Sequence, residues 1–120
     1  ETFAIRTERG ESTEVPAEIQ LYQEGAYAKA LPLWKDRAST PLEEFYLAEC
    51  YRLIGQYPEA IDIYLNLLSQ TQIKDAVQWR LALSYVLAGR EKEAIEELTE
   101  ISSQDHYRKD EAKELLDALD

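Results

Sequence analysis

The chain is poor in the residue types that build disulfides, metal centres and nucleophilic sites. Its 120 residues include one cysteine, Cys50, and one histidine, His106. A single cysteine cannot form an internal disulfide. No second histidine or cysteine stands at the spacing of zinc ligands, and no glycine-rich phosphate loop occurs. We therefore expect no metal, no cofactor, no small-molecule substrate and no enzymatic activity.

Basic residues are scarce relative to acidic ones. The chain has 13 Lys and Arg against 24 Asp and Glu, a formal net charge of −11. Nucleic acids and anionic membranes both require basic patches, so the composition argues against either as a partner. Solubility is the plain explanation of the acidity. A preference for basic partners is the alternative.

Long apolar runs and a secretory signal are also absent. No run reaches the length of about 18 apolar residues that a membrane helix needs. Because the chain starts at Glu1 without methionine, we expect a mature or excised product whose upstream segment was removed. The length suits one domain.

Three of the four glycines belong to one short sequence motif that occurs three times. It occupies residues 25–31, 55–61 and 89–95, so the glycines are 30 and 34 residues apart. Self-similarity at this period is the signature of stacked helical repeats. Such repeats usually present a surface rather than a reaction centre.

The repeat alanines Ala30, Ala60 and Ala94 are surrounded by apolar residues at helical spacings of three, four and seven. Each glycine lies between two such runs and can end the first helix in the left-handed conformation. The short link predicts an antiparallel helix pair. Neighbouring pairs must stack, because one pair cannot bury its apolar face alone.

This pattern resembles the tetratricopeptide repeat. The residues that carry the resemblance are Leu47, Ala48, Tyr51, Gly55, Tyr57, Ala60 and Tyr64 in one unit, and Leu81, Ala82, Tyr85, Gly89 and Ala94 in the next. In the first unit Glu18 replaces the usual small residue, and that unit is four residues short. The resemblance implies an all-α fold, an α-solenoid of about three antiparallel helix pairs plus a C-terminal capping helix.

The spacing predicts seven helices, near 16–24, 27–38, 41–54, 57–70, 74–88, 91–102 and 107–119. Thr40, Pro41 and Glu43 predict a capped start for the third. We divide the chain into a lead-in at 1–14 and a domain at 15–120, with repeats near 11–40, 41–74 and 75–108 and the capping helix at 107–119. The lead-in is expected to be extended or disordered, or to place Phe3 and Ile5 in a groove.

The resemblance implies that the first helix of each pair lines a concave surface that holds a peptide or a partner protein. We expect partner contacts from residues that core packing does not use. They are Tyr22, Phe45, Glu49, Arg52, Trp79, Arg80 and Leu83. The family's clamp for a terminal carboxylate is absent here, because Phe45, Glu49 and Trp79 occupy its positions.

The helix at 74–88 is apolar nearly all round, so something should cover its concave side. The sequence leaves three alternatives for what packs on this side. The last helix could fold back over it. A partner could bind with Trp79 as anchor and with Arg80 or Arg52 gripping an acidic group. Residues 2–6 of the same or a neighbouring chain could occupy it.

The sequence therefore predicts a non-catalytic protein–protein interaction module that acts through the concave surface. The alternative is a self-assembling structural domain, such as a homodimer. We expect Cys50 to be a buried structural thiol and His106 to be a surface or capping residue. The tail at 97–116 is similar to short bacterial tetratricopeptide proteins, in which such a domain often follows a single membrane-spanning helix. Localisation stays open between the extracytoplasmic (periplasmic) side and the cytoplasm.

Overall fold

The computed structural model describes residues 25–70 and 72–119, and this part of the chain is entirely helical outside its turns. The helices are α1 (Tyr27–Arg37), α2 (Pro41–Leu53), α3 (Tyr57–Leu67), α4 (Lys74–Leu87), α5 (Glu91–Ser102) and α6 (Lys109–Leu119). The lead-in, the expected helix at 16–24 and Tyr22 lie outside the described residues. None of the described helices is long and apolar enough to cross a membrane.

The start of α2 is held by the capping box that the sequence predicts. The Thr40 hydroxyl accepts a hydrogen bond from the Glu43 backbone N–H at 3.2 Å, and the Glu43 carboxylate accepts one from the Thr40 N–H at 3.2 Å. Pro41 occupies the first helical position, where a missing N–H costs nothing. These local bonds fix where α2 begins.

Both α2 and α4 end at a glycine in the left-handed conformation. Gly55 and Gly89 have φ values of 90° and 78°, the left-handed region that the sequence predicts for them. After α2, the Gln56 N–H reaches the Tyr51 carbonyl at 2.8 Å and the Gly55 N–H reaches the Arg52 carbonyl at 3.1 Å. These two hydrogen bonds satisfy carbonyls at the end of the helix, and the chain then turns back. The next helix then runs antiparallel to the one before it.

In the described residues, the core forms three clusters that join successive helices. Trp34 of α1 stacks on Tyr46 of α2, with ring centroids 5.6 Å apart. Phe45 packs with residues of α3 and α4 in the second cluster, and Trp79 packs with residues of α5 and α6 in the third. The repeat alanines are fully buried, which agrees with a small residue at each close helix crossing. The all-α helical-repeat fold expected from the sequence is confirmed.

Helix ends differ from the expectation by a few residues. The helix expected to reach residue 70 ends at Leu67, because the Leu68 N–H already bonds to Leu65 in a tightened last turn. The last helix begins at Lys109 rather than 107, since the preceding residues form a turn around His106.

Candidate partner-binding surface

Glu49 of α2 lies at the centre of a buried cluster that joins three helices. Its Oε1 accepts hydrogen bonds from Arg52 Nε at 3.0 Å and from the Tyr64 hydroxyl on α3. Its Oε2 accepts a hydrogen bond from Arg80 Nε on α4 at 3.0 Å. The Glu49 side chain is almost completely buried, so its charge is balanced by these donors rather than by water.

The guanidinium groups of Arg52 and Arg80 share the Glu49 carboxylate. Burial opposes the charge of Arg52, but the neighbouring Glu49 carboxylate outweighs it and raises the pKa of Arg52 above its ordinary value. Burial, and then the charge of Glu49, raises the pKa of Tyr64 well above the usual value. The arginine therefore stays charged and the tyrosine stays a neutral donor.

Two exposed leucines continue the faces of α2 and α4 that carry this cluster. Leu53 follows Glu49 by four residues, and Leu87 follows Arg80 by seven, so each leucine shares a helix face with its charged neighbour. Leu53 is 40% exposed and Leu87 is 54% exposed. Because Glu49 and Arg80 meet, we infer that the leucines border one surface. We call it the α2–α4 surface and define it by Arg52, Leu53 and Leu87, which border the buried Glu49–Arg80 pair.

Phe45 does not belong to this surface, and the expectation that core packing spares it is wrong. It is 1% exposed and packs in the second core cluster. Its ring lies 6.0 Å from Tyr64 and 6.1 Å from Tyr46, centroid to centroid. Its place on α2 turns it toward α3 and α4 instead of toward solvent.

Trp79 is also buried, at 7% exposure, contrary to the expectation that it is free for a partner. It packs with Leu98 and Ile101 of α5 and with Ala112 of α6. The Arg108 guanidinium lies over its ring, 5.6 Å from the centroid. Of the three coverings considered for this face, the last helix is the one in place among the described residues. Leu83 beside it is half-buried.

His106 is buried, so the surface alternative of its expected role is wrong, whereas its bond to a backbone N–H just before α6 agrees with the capping alternative. Its Nδ1 accepts a hydrogen bond from the Arg108 N–H at 3.0 Å. The other ring nitrogen, Nε2, therefore carries the proton and donates to the Asp75 carbonyl at 3.0 Å. The ring joins the turn before α6 to the start of α4.

Cys50 is buried beside Trp34 and Tyr46, as predicted for a structural thiol. Burial, and then the charge of Glu49, raises the pKa of Cys50 to about 12. A thiol of this pKa is neither a nucleophile nor a metal ligand at neutral pH. Within the described residues, no group of three or more His, Cys, Asp and Glu side chains could hold a metal ion.

The structure brings Glu49, Arg52 and Arg80 together, with Leu83 on the neighbouring face of α4. Glu49 and Arg80 are buried, at 1% and 8% exposure, so the expectation that core packing spares them is wrong. The structure adds Leu53 and Leu87, which the sequence analysis missed. A signal for both was present. Each stands two residues before a repeat glycine, 34 residues from the other. A leucine at this place in two units marks a shared surface position.

Comparison with known proteins gives one family match. A family model described as tetratricopeptide repeat matches residues 44–70. This segment covers most of α2 and the whole of α3. The searches of curated proteins and of solved structures returned no match.

Proposed function

Because residues 44–70 form a tetratricopeptide repeat, we propose that the chain is a non-catalytic protein–protein interaction module whose α2–α4 surface binds a partner protein or peptide. Repeats of this family generally mediate contacts between proteins. The finer assignment to one surface is our proposal, and it refines the concave binding surface expected from the sequence.

The exposed leucine pair beside the arginine cluster is the observation that supports this choice. Leu53 and Leu87 are among the most exposed large apolar residues of the described chain. Exposed apolar side chains grouped with arginine are typical of interaction sites. The proposed contacts leave out four residues because they are buried, namely Phe45, Trp79, Glu49 and Arg80.

Affinity capture from an extract of the source cells, with quantitative mass spectrometry, tests the proposal. Partners retained by the unmodified chain should be lost with Leu53→Ser and Leu87→Ser. They should be kept by Leu65→Ser, a matched control on α3 whose leucine is 44% exposed. Partners held equally by all four proteins would contradict the assignment of the surface.

Light scattering over a wide concentration range distinguishes the self-assembling alternative. A partner-binding module is expected to keep the mass of a monomer. A dimer that Leu87→Ser dissolves would mean that a second copy of the chain occupies the surface.

A further inference from the structure

We propose that His106 makes the docking of α6 depend on pH, so that α6 loosens from α4 as pH falls below about 6.5 and uncovers Trp79. The two hydrogen bonds of the His106 ring carry this inference, because together they require a neutral imidazole. This pH dependence is independent of the α2–α4 surface and therefore goes beyond the proposed function.

The partners of the His106 ring fix where its one proton lies. The Arg108 backbone N–H can only donate, so Nδ1 must be an unprotonated acceptor in the 3.0 Å bond between them. The Asp75 carbonyl can only accept, so Nε2 must carry the proton in the other 3.0 Å bond. A protonated imidazole donates from both nitrogens. Protonation would therefore set two N–H groups against each other at Nδ1 and would leave the Arg108 N–H without its acceptor.

The ring has no carboxylate partner that would hold an added positive charge. His106 is 5% exposed and stacks on Tyr107, with ring centroids 5.1 Å apart. Within the part of the chain that the structure describes, both ring nitrogens bond to main-chain groups, and no carboxylate pairs with the ring. The N-terminus of α6, which the ring caps, carries partial positive charge and so opposes a cation there.

The segments that contact the ring contain charges of both signs. The Arg108 guanidinium lies over the Tyr107 ring, 5.3 Å from its centroid, and pairs with Glu111 at 3.2 Å. The titratable and charged residues of these segments are Lys74 and Asp75 at the start of α4, Asp105, Tyr107 and Arg108 in the turn, and Lys109 and Glu111 in the first turn of α6.

The bond at Nδ1 also positions what lies over Trp79. Arg108 donates its backbone N–H to the ring, and its guanidinium lies over the Trp79 ring, 5.6 Å from the centroid. Trp79 is 7% exposed and packs with Ala112 of α6. Protonation of His106 would remove a bond that holds both the arginine and the start of α6 in place. The apolar side of α4 would then become accessible at mildly acidic pH.

The single histidine of the chain makes a direct test possible. The chain, without an affinity tag and with nitrogen-15 in its histidine, is titrated by NMR from about pH 7.5 to about pH 5.5, a range that spans the ordinary titration of imidazole. We expect the Nε2–H tautomer at the upper pH. In the range where the ring takes up its proton, hydrogen exchange in α6 should accelerate about tenfold relative to α2, after correction for the intrinsic pH dependence of exchange. This is the effect of losing about one buried hydrogen bond.

His106→Asn is the matched variant, because its side-chain carbonyl can accept the Arg108 N–H but does not titrate. Its α6 should exchange at the same corrected rate at both pH values. Burial raises the pKa of Glu97 on α5, so this carboxyl is a second group that could respond in the same range. Glu97→Gln should therefore keep the acceleration if the imidazole is its source.

A ring that takes up its proton without faster exchange in α6 would overturn the proposal, as would a ring that stays neutral down to about pH 5.5. An acceleration that His106→Asn keeps, or that Glu97→Gln abolishes, would also overturn it. If His106→Asn does not fold, the histidine titration and the exchange of α6 still decide, because both are measured on the unmodified chain.

Discussion

Glu49 of α2 and Arg80 of α4 form an ion pair of 3.0 Å although 31 residues separate them in the chain. The pair ties the first helices of two successive helix pairs to each other. With Tyr64 of α3 as a third member, it also fixes how the intervening helix packs. The candidate surface is therefore built on a buried electrostatic contact and not only on apolar packing.

Glu49→Ala should destabilise the fold by about 3–5 kcal/mol, because it leaves two guanidinium groups together without their carboxylate. Urea unfolding followed by circular dichroism measures the change. Glu59→Ala, at an exposed position of α3, is the control and should change stability little. A loss below about 1 kcal/mol for Glu49→Ala would show that the cluster is not coupled to stability.

Trp79→Ala should cost about 3–5 kcal/mol, since it opens a cavity between α4, α5 and α6. Thermal unfolding measures it. Leu87→Ser on the exposed face of the same helix should stay within about 0.5 kcal/mol of the unmodified chain. If Trp79→Ala left stability intact, the ring would have to lie outside the core.

His106→Ala should loosen α6. The substitution leaves the Asp75 carbonyl and the Arg108 N–H without their partner, at a cost of about 1–3 kcal/mol. Hydrogen exchange should accelerate in α6 and remain slow in α2. Asp105→Ala, at the exposed neighbouring position, should leave the exchange of α6 unchanged, and equal exchange in both variants would refute a structural role of the imidazole.

Cys50 should resist thiol reagents in the folded protein, because its pKa of about 12 and its burial leave no accessible thiolate. Ellman's reagent at pH 8 should react with it only after urea is added. Ser103→Cys, which adds a thiol at an exposed position after α5, provides the positive control. Rapid reaction of the unmodified chain without urea would mean that the α1–α2 contact opens readily.

Glu97→Gln should stabilise the protein at pH 7. Burial, and then the charges of Glu100 and Glu96, raises the pKa of Glu97 in the folded state. A raised folded pKa means that ionisation costs stability as pH rises through it, and the cost vanishes below the unfolded value of about 4.3. The melting temperature of the variant should exceed that of the unmodified chain at pH 7, and the difference should shrink toward pH 4. A variant with a lower melting temperature than the unmodified chain at pH 7 would contradict the prediction.

Much of the fold was predictable because its determinants are local. The repeated motif contains Gly55 and Gly89, and each helix ends there because glycine, which has no side chain, adopts positive φ readily. The Thr40 and Glu43 capping box lies within four residues of chain. Helical spacing around Ala60 and Ala94 identified residues that are fully buried. Each of these signals is a relation between near neighbours.

The candidate surface was predictable only in part. Glu49, Arg52 and Arg80 were named as partner contacts, whereas the structure joins them to one another in a largely buried cluster that depends on how α2 and α4 approach each other. Phe45 and Trp79 were misplaced because a rotation of about 100° per residue separates a surface position from a core position on a helix. Leu53 and Leu87 share a place two residues before a repeat glycine, but that place alone does not say whether a neighbouring helix covers a leucine there.

The sequence by itself determined the helices, the turns between them and the stacking of helix pairs, since short-range hydrogen bonds and apolar spacing dictate these features. Tertiary structure alone decided that α6 covers Trp79, that His106 joins the turn before α6 to α4, and that Glu49 is shared by two arginines. These contacts join residues that lie far apart in the chain. They depend on the angle and register at which whole helices pack, which no local pattern specifies.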